Sequence, residues 1–257
     1  MIEMEAADVC VHLSPADGGR VRQINVGGLD LLHEEPVGGP LTWGSYPMAP
    51  WAGRVRDGHF AFDGVDVQLP LNHPPHAIHG TAFTSPWAVV DAGRDYCELA
   101  CELEWQFGGR AHQHLLLSPD GLTCVLAVMA TAAPMPAVIG WHPCFRSPDR
   151  ADLEFGRMYE RDERHMATAR LVAPKPHPWD DCFVQRSAPI RLHHPHVTVT
   201  VDSDCDHWVV YDEQPGLVCV EPQSGPPDGF NIGGATRLEP GELLQRTMTI
   251  GWVRRTP

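Results

Sequence analysis

Glu221 stands where a run of strand character, residues 217–221 (LVCVE), meets the turn-rich stretch PQSGPPDGFN, whose prolines and glycines must end the strand soon afterwards. A strand holds its end more rigidly than a loop does, so a carboxylate there is suited to taking up and returning a proton. The same window also fits an acidic strand-end residue facing water, and Glu221 therefore needs a partner from elsewhere. Four other segments set reactive polar residues beside turn residues and an aromatic: Arg54 and Arg56 in PWAGRVRDGHF, His79 in HAIHG, His142 in WHPCF, and Asp180 with Asp181 in WDDCF. A carboxylate and an imidazole, with ordinary pKa values of roughly 4.3 and 6.5, supply near neutrality an ionised base and a partly protonated acid. Arg and Asp can add charge-assisted hydrogen bonds to neighbouring hydroxyls. Taken one by one, His79 and His142 fit structural histidines equally well, and Arg54 and Asp180 fit surface charges.

The elements that must position these groups read as short strands. Residues 8–13 form a first strand, and 21–26 turn through Gly27-Gly28 into 29–33. Residues 35–50 are broken by prolines and glycines and read as a loop. Residues 58–62 and 65–69 flank Asp63-Gly64 as a hairpin, and 70–85 form a loop carrying three histidines. Further strands are predicted at 87–91, 96–107, 111–117, 122–130, 137–145, 197–201, 208–211, 217–221 and 244–252. Residues 149–171 hold no helical stripe and are left unassigned. Many short strands punctuated by Gly and Pro, with no long amphipathic helix, predict an all-β fold, a large antiparallel β-sandwich.

Size and composition bound the rest. A chain of 257 residues can bury one core, all-β domains often reach this length undivided, and one domain over 1–257 is expected. A formal charge of −14 with only 19 basic residues opposes a nucleic acid or anionic membrane as partner. No apolar run approaches a bilayer span, and the acidic start MIEMEAADVC does not read as a secretory signal, so the expected location is cytoplasmic. Eight cysteines without CxxC or zinc-type spacing read as free, mostly buried thiols.

The five segments together resemble the aldose 1-epimerase (galactose mutarotase) family. Its members carry an Arg before a Gly-aromatic pair, an LHG-type histidine, an HxYF-type histidine, an Asp three residues before a Phe, and a late EP-x-x-x-x-PD-x-FN carboxylate. Arg54 in GRVRDGHF, His79 in AIHG, His142 in HPCF, Asp180 in DDCF and Glu221 in EPQSGPPDGFN match in the same order, from about residue 50 to residue 231. The resemblance implies a galactose-mutarotase-type sandwich (a supersandwich) and a sugar substrate in an open cleft across one sheet. It also implies catalytic roles for Glu221, as base at the anomeric hydroxyl, and His142, as acid at the ring oxygen. Arg54, His79 and Asp180 would bind the sugar hydroxyls, with no cofactor and no metal. Departures from the pattern are His76 for an Asn, Thr81 for a second Gly, and Cys144 for the aromatic of HxYF, and the chain is somewhat short for the family. Neighbouring strand residues face opposite sides, and register favours Asp180 over Asp181 for the cleft. Trp51, Trp141 and Trp179 each adjoin a motif, and each could stack on a sugar or belong to the core.

Parts of the sequence also fit other classes. His73, His76 and His79, or His193, His194 and His196, could hold a metal in a cupin-like enzyme, but a spacing of three does not suit a strand face and Pro74-Pro75 make the first segment a loop. A non-catalytic sugar-binding or sensing protein on the same fold is a second alternative. A hexose-6-phosphate 1-epimerase is a third, needing extra cations of which Arg56 is the nearest candidate. The expected working unit is a monomer or homodimer.

Overall fold

A computed structural model describes residues 1–34 and 39–255. The larger of its two main sheets has eleven strands. From one edge these are Ile2–Ala6, Val9–Ser14, Arg20–Val26, Ser45–Met48, Gly140–Arg146, Leu217–Gln223, His207–Tyr211, Asp180–Arg186, Phe155–Arg161 and Ala167–Val172, with Leu29–Asp30 pairing beside Arg20–Val26. The second sheet has eight: Ala88–Ala92, Tyr96–Glu102, Arg110–Ser118, Gly121–Met129, Leu243–Arg254, Val197–Ser203, Ile190–His193 and Arg150–Asp152. Neighbouring strands run antiparallel, the arrangement expected when consecutive strands are joined by short turns.

The two sheets pack face to face because each offers an apolar side at every second residue. Leu122, Cys124, Leu126 and Val128 alternate with less buried neighbours along Gly121–Met129. They meet Phe145, Val218, Val220, Val210 and Phe183 from the larger sheet in one cluster. Burying each such aliphatic or aromatic side chain contributes about 1.5–3 kcal/mol. The central strands of the larger sheet are covered on both sides, and every residue of Leu217–Gln223 is buried. Their second side is therefore available to hold something other than a core.

The antiparallel sandwich is what the alternation predicted. The hairpin at His59–Phe62 and Val65–Gln68 turns on Asp63 and Gly64, both at positive φ (52° and 75°), the geometry that a two-residue hairpin turn requires. Other boundaries differ. Residues 2–6 form an unforeseen edge strand, and the expected strand at 96–107 stops at Glu102. The expected loop at 35–50 contains the Ser45–Met48 strand, while its residues 35–38 lie outside the described residues. Residues 149–171 contain the Phe155–Arg161 edge-region strand, whose burial follows no clean alternation. The strand carrying Glu221 runs two residues further, through Pro222 to Gln223. Among the described residues no helix is long and apolar enough to cross a membrane.

Candidate active site

Register alone builds the floor of the site. Tyr46 pairs with His142 across Ser45–Met48 and Gly140–Arg146. Glu221 pairs with Val209, and Val209 with Cys182, further across the sheet. Between Gly140–Arg146 and Leu217–Gln223 the paired positions are Gly140 with Gln223 and Cys144 with Cys219. His142 and Glu221 fall midway between those rungs and so face each other. Pro143 and Pro222, which have no N–H, fall in the same interval, where the backbone pairing lapses. Trp141, Phe145, Val218 and Val220 are one residue out of step and point into the core.

His142 Nε2 lies 3.1 Å from Glu221 Oε1, with the two residues only 7% and 2% exposed. Gln223, two residues along on the same face, donates from Nε2 to Glu221 Oε2 at 3.1 Å. The Tyr46 ring stacks on the His142 imidazole at 4.7 Å and 14°. Burial pushes the Glu221 carboxyl up, and the attraction of His142 only partly reverses this, leaving it at about 7. Burial pushes the His142 imidazole down, but the Glu221 carboxylate and Cys144 outweigh that and carry it to about 9. Between those values the pair is a carboxylate beside an imidazolium, a base and an acid in contact.

The walls come from sequence-distant loops. Arg54–Val55 pairs with Ala77–Ile78, and the Asn72 side chain grips Ile78 from both sides, accepting from its N–H at 2.8 Å and donating to its carbonyl at 2.9 Å. The chain then turns sharply at His79 and Gly80, with φ of 57° and 80°. A Cβ on Gly80 would stand 1.9 Å from the Ala49 carbonyl oxygen, so a side chain there is incompatible with this close approach. His79 Nδ1 accepts from the Gly53 N–H at 3.3 Å, which leaves Nε2 as its donor. Burial, then the neighbouring His142, holds this imidazole well below its ordinary range, so it stays neutral. Its ring meets that of His142 edge-on at 5.0 Å.

Asp180 lies in register with Tyr211, and Tyr211 with Cys219, which puts Asp180 on the same face as Glu221. Arg54 and Arg161 each donate from Nη1 to Asp180 Oδ2 at 3.2 Å. Asp181 also borders the cavity, but it is buried between Arg161 Nε and Lys175 Nζ, each 2.9 Å away. The late PPDGFN stretch braces this wall. Asp228 accepts from the Arg56 N–H at 2.9 Å, and its own N–H donates to the Arg54 carbonyl at 2.6 Å.

Floor and walls enclose a cavity of about 260 Å³ that Glu221, His142, His79, Arg54 and Asp180 all line. The same cavity takes in Arg161 and Gln223, which sequence reasoning passed over. Gln223 had a usable signal, its two-residue spacing from Glu221. Arg161 had none, because its strand does not alternate. Among the described residues, the buried Gln223 Oε1 has no hydrogen-bond partner. Trp51, Trp141 and Trp179 do not line the cavity. They are buried in apolar clusters, where Trp141 Nε1 donates to Gln113 at 3.2 Å, so the stacking role is corrected to core packing. Arg56 is engaged by Asp162 at 2.8 Å and by Asp228, away from the cavity. His73, His76 and His79 do not gather as a close ligand trio among the described residues.

The family model described as Aldose 1-epimerase matches residues 15–251. The uncharacterized protein YphB of Escherichia coli (strain K12) is 24% identical over 240 residues, covering 80% of this chain and 82% of that protein. A crystal structure from Escherichia coli K12, provisionally described as an aldose 1-epimerase, superposes with a TM-score of 0.88 at 21% identity, over 98% of both chains. A galactose mutarotase-like protein from Clostridium acetobutylicum gives a TM-score of 0.88 at 17% identity, over 98% of this chain and 95% of that one. At these identities the likeness to the solved structures establishes the mutarotase-like fold.

Proposed function

Because the chain belongs to the aldose 1-epimerase family, we propose that it interconverts the α and β anomers of a free aldose by acid–base opening and closing of the ring. The observation that carries this reading is the 3.1 Å contact between His142 and Glu221 on the floor of a sugar-sized cavity. The anomeric and ring oxygens of a pyranose are bonded to one carbon, so a base and an acid must stand side by side to reach both.

Glu221 takes the proton of the anomeric hydroxyl while the bond from the anomeric carbon to the ring oxygen breaks, its electron pair passing to that oxygen. His142 delivers a proton there from Nε2. The anomeric carbon becomes an aldehyde, turns about its bond to the next carbon, and is re-attacked on its other face by the freed hydroxyl, with base and acid exchanging roles. Both side chains end as they began, and proton transfer needs no further group.

The walls hold the sugar while this happens. His79 donates from Nε2, Arg54 and Asp180 offer charged hydrogen bonds to neighbouring hydroxyls, and the unpartnered Gln223 Oε1 accepts one. A cavity of about 260 Å³ lies below the roughly 300–1,000 Å³ of general ligand pockets, which favours a single sugar ring. The engagement of Arg56 by two carboxylates weighs against a phosphorylated sugar. All eight cysteines are free, in keeping with a reducing, cytoplasmic compartment.

The test is anomer exchange by NMR across a panel of hexoses and pentoses, free and phosphorylated, with Glu221→Gln as control. Acceleration of at least one free sugar, lost in the control, is expected. Sugar binding without any acceleration by the unaltered protein would reassign it as a binding protein.

A further inference from the structure

One rung beyond His142 and Glu221, on the same face of the same two strands, stand Cys144 and Cys219, directly paired across the ladder. Both are fully buried, at 0% and 1% exposure. Their sulfurs are 3.6 Å apart, and Cys144 Sγ is 3.3 Å from His142 Nδ1, the ring nitrogen that does not face Glu221. The three ligand atoms all lie within 4.8 Å of one another. A tetrahedral ion with metal–sulfur bonds of about 2.3 Å and metal–nitrogen bonds of about 2.0 Å has edges near 3.8 Å between sulfurs and 3.5 Å between sulfur and nitrogen. The two edges that meet at Cys144, 3.6 and 3.3 Å, match those values to within about 0.2 Å, and the third, from Cys219 to His142, is within 4.8 Å. The separation between the sulfurs exceeds a disulfide bond of about 2.05 Å by far more.

We propose that His142, Cys144 and Cys219 form a three-ligand site for a thiophilic divalent transition-metal ion, Zn²⁺ being the representative case. Two features beyond ligand spacing support it. A histidine that binds a metal through one nitrogen commonly hydrogen-bonds a carboxylate through the other, and Glu221 holds His142 Nε2 in that way. Among the described residues no fourth His, Cys, Asp or Glu joins the trio, and His142 and Cys219 border the cavity, which leaves a fourth position to water or a sugar oxygen. Three protein ligands with an open fourth place is the pattern of reactive rather than purely structural zinc sites. Two thiols and an imidazole select soft or borderline ions over Mg²⁺ or Ca²⁺. The inference stands on the thiol and imidazole geometry, and it concerns a metal-loaded form distinct from the metal-free acid–base pair, because a metal on Nδ1 requires the neutral imidazole and displaces the proton that makes His142 an acid.

The test uses the reduced, chelator-stripped, full-length protein titrated with Co²⁺ under anaerobic conditions. Saturation at one equivalent is expected, with the visible bands of tetrahedral cobalt and near-ultraviolet thiolate-to-cobalt charge transfer, all displaced by Zn²⁺. Cys144→Ser and Cys219→Ser should each remove roughly half of the charge-transfer intensity, since one of two thiolates is lost. Cys10→Ser should leave the bands intact, although Cys10 lies in a second trio with Glu3 and His12. Circular dichroism on every variant establishes that it is folded. The proposal is overturned by a folded, reduced protein without these bands, or by charge-transfer bands that keep their full intensity in the Cys144 and Cys219 variants. It is equally overturned if thiol counting finds the pair present only as a disulfide. None of these readouts measures anomer exchange, so a failed metal site and a failed epimerase reading remain distinguishable.

Discussion

The floor of the cavity and its walls are built by different means. The floor is a sheet: Tyr46, His142 and Glu221 are set by register, and stacking and hydrogen bonding leave each ring or carboxylate little freedom. The walls are loops: Arg54 and His79 depend on a two-residue strand pair, on Asn72, and on Asp228 reaching from a later turn. The groups proposed to move protons therefore sit on the stiffest backbone. Of the groups proposed to grip hydroxyls, Arg54 and His79 sit on those wall segments, while Asp180 and Gln223 sit on strands of the larger sheet. On the proposed roles, the difference divides reactivity on the floor from selectivity on the wall, and mutation can break it.

The largest effect is expected on the floor. Glu221→Gln and His142→Asn should each lower the anomer exchange rate about 10²- to 10⁴-fold with little change in KM, read by NMR exchange over a range of sugar concentrations. On the wall, Arg54→Ala should lower kcat/KM about tenfold to a hundredfold, mainly through KM, the usual cost of losing a hydrogen bond to a charged group. Equal losses of kcat from Arg54→Ala and Glu221→Gln would erase the distinction. Gly80→Ala should destabilise the protein by about 1–3 kcal/mol, seen as a lower urea midpoint, because the new methyl meets the Ala49 carbonyl. Its activity loss should exceed what the unfolded fraction explains, since His79 rides on the same turn. The smallest effect belongs to Tyr46→Phe, which keeps the ring stacked on His142 but loses its hydroxyl's 3.2 Å bond to the Leu41 carbonyl. A cost of about 0.5–1.5 kcal/mol and near-normal exchange are expected.

This contrast also explains what the sequence disclosed. The smaller sheet was legible because strands such as Gly121–Met129 bury one face and alternate visibly. Leu217–Gln223 is buried on both faces and Pro222 reads as an early strand end, so Gln223 was passed over although its two-residue spacing puts it on the side of Glu221. Tyr46 was hidden among prolines and glycines that resemble a loop, yet Ser45–Met48 pairs on both of its sides. Arg161 lay in a segment without period and became visible only through its contacts with Asp180 and Asp181. The Trp residues misled for a simple reason: Trp141 is adjacent to His142, and adjacent strand residues face opposite ways.

The transverse row from Tyr46 through His142, Glu221 and Val209 to Cys182 takes every member from a different strand. Any contiguous segment that contains it must run from residue 46 to residue 221. Pairing of such sequence-distant strands is slow, commonly milliseconds to seconds in small β proteins. Recovery of turnover after dilution from denaturant should accordingly lag behind the return of β-sheet circular dichroism, making enzymatic competence a late marker of renaturation.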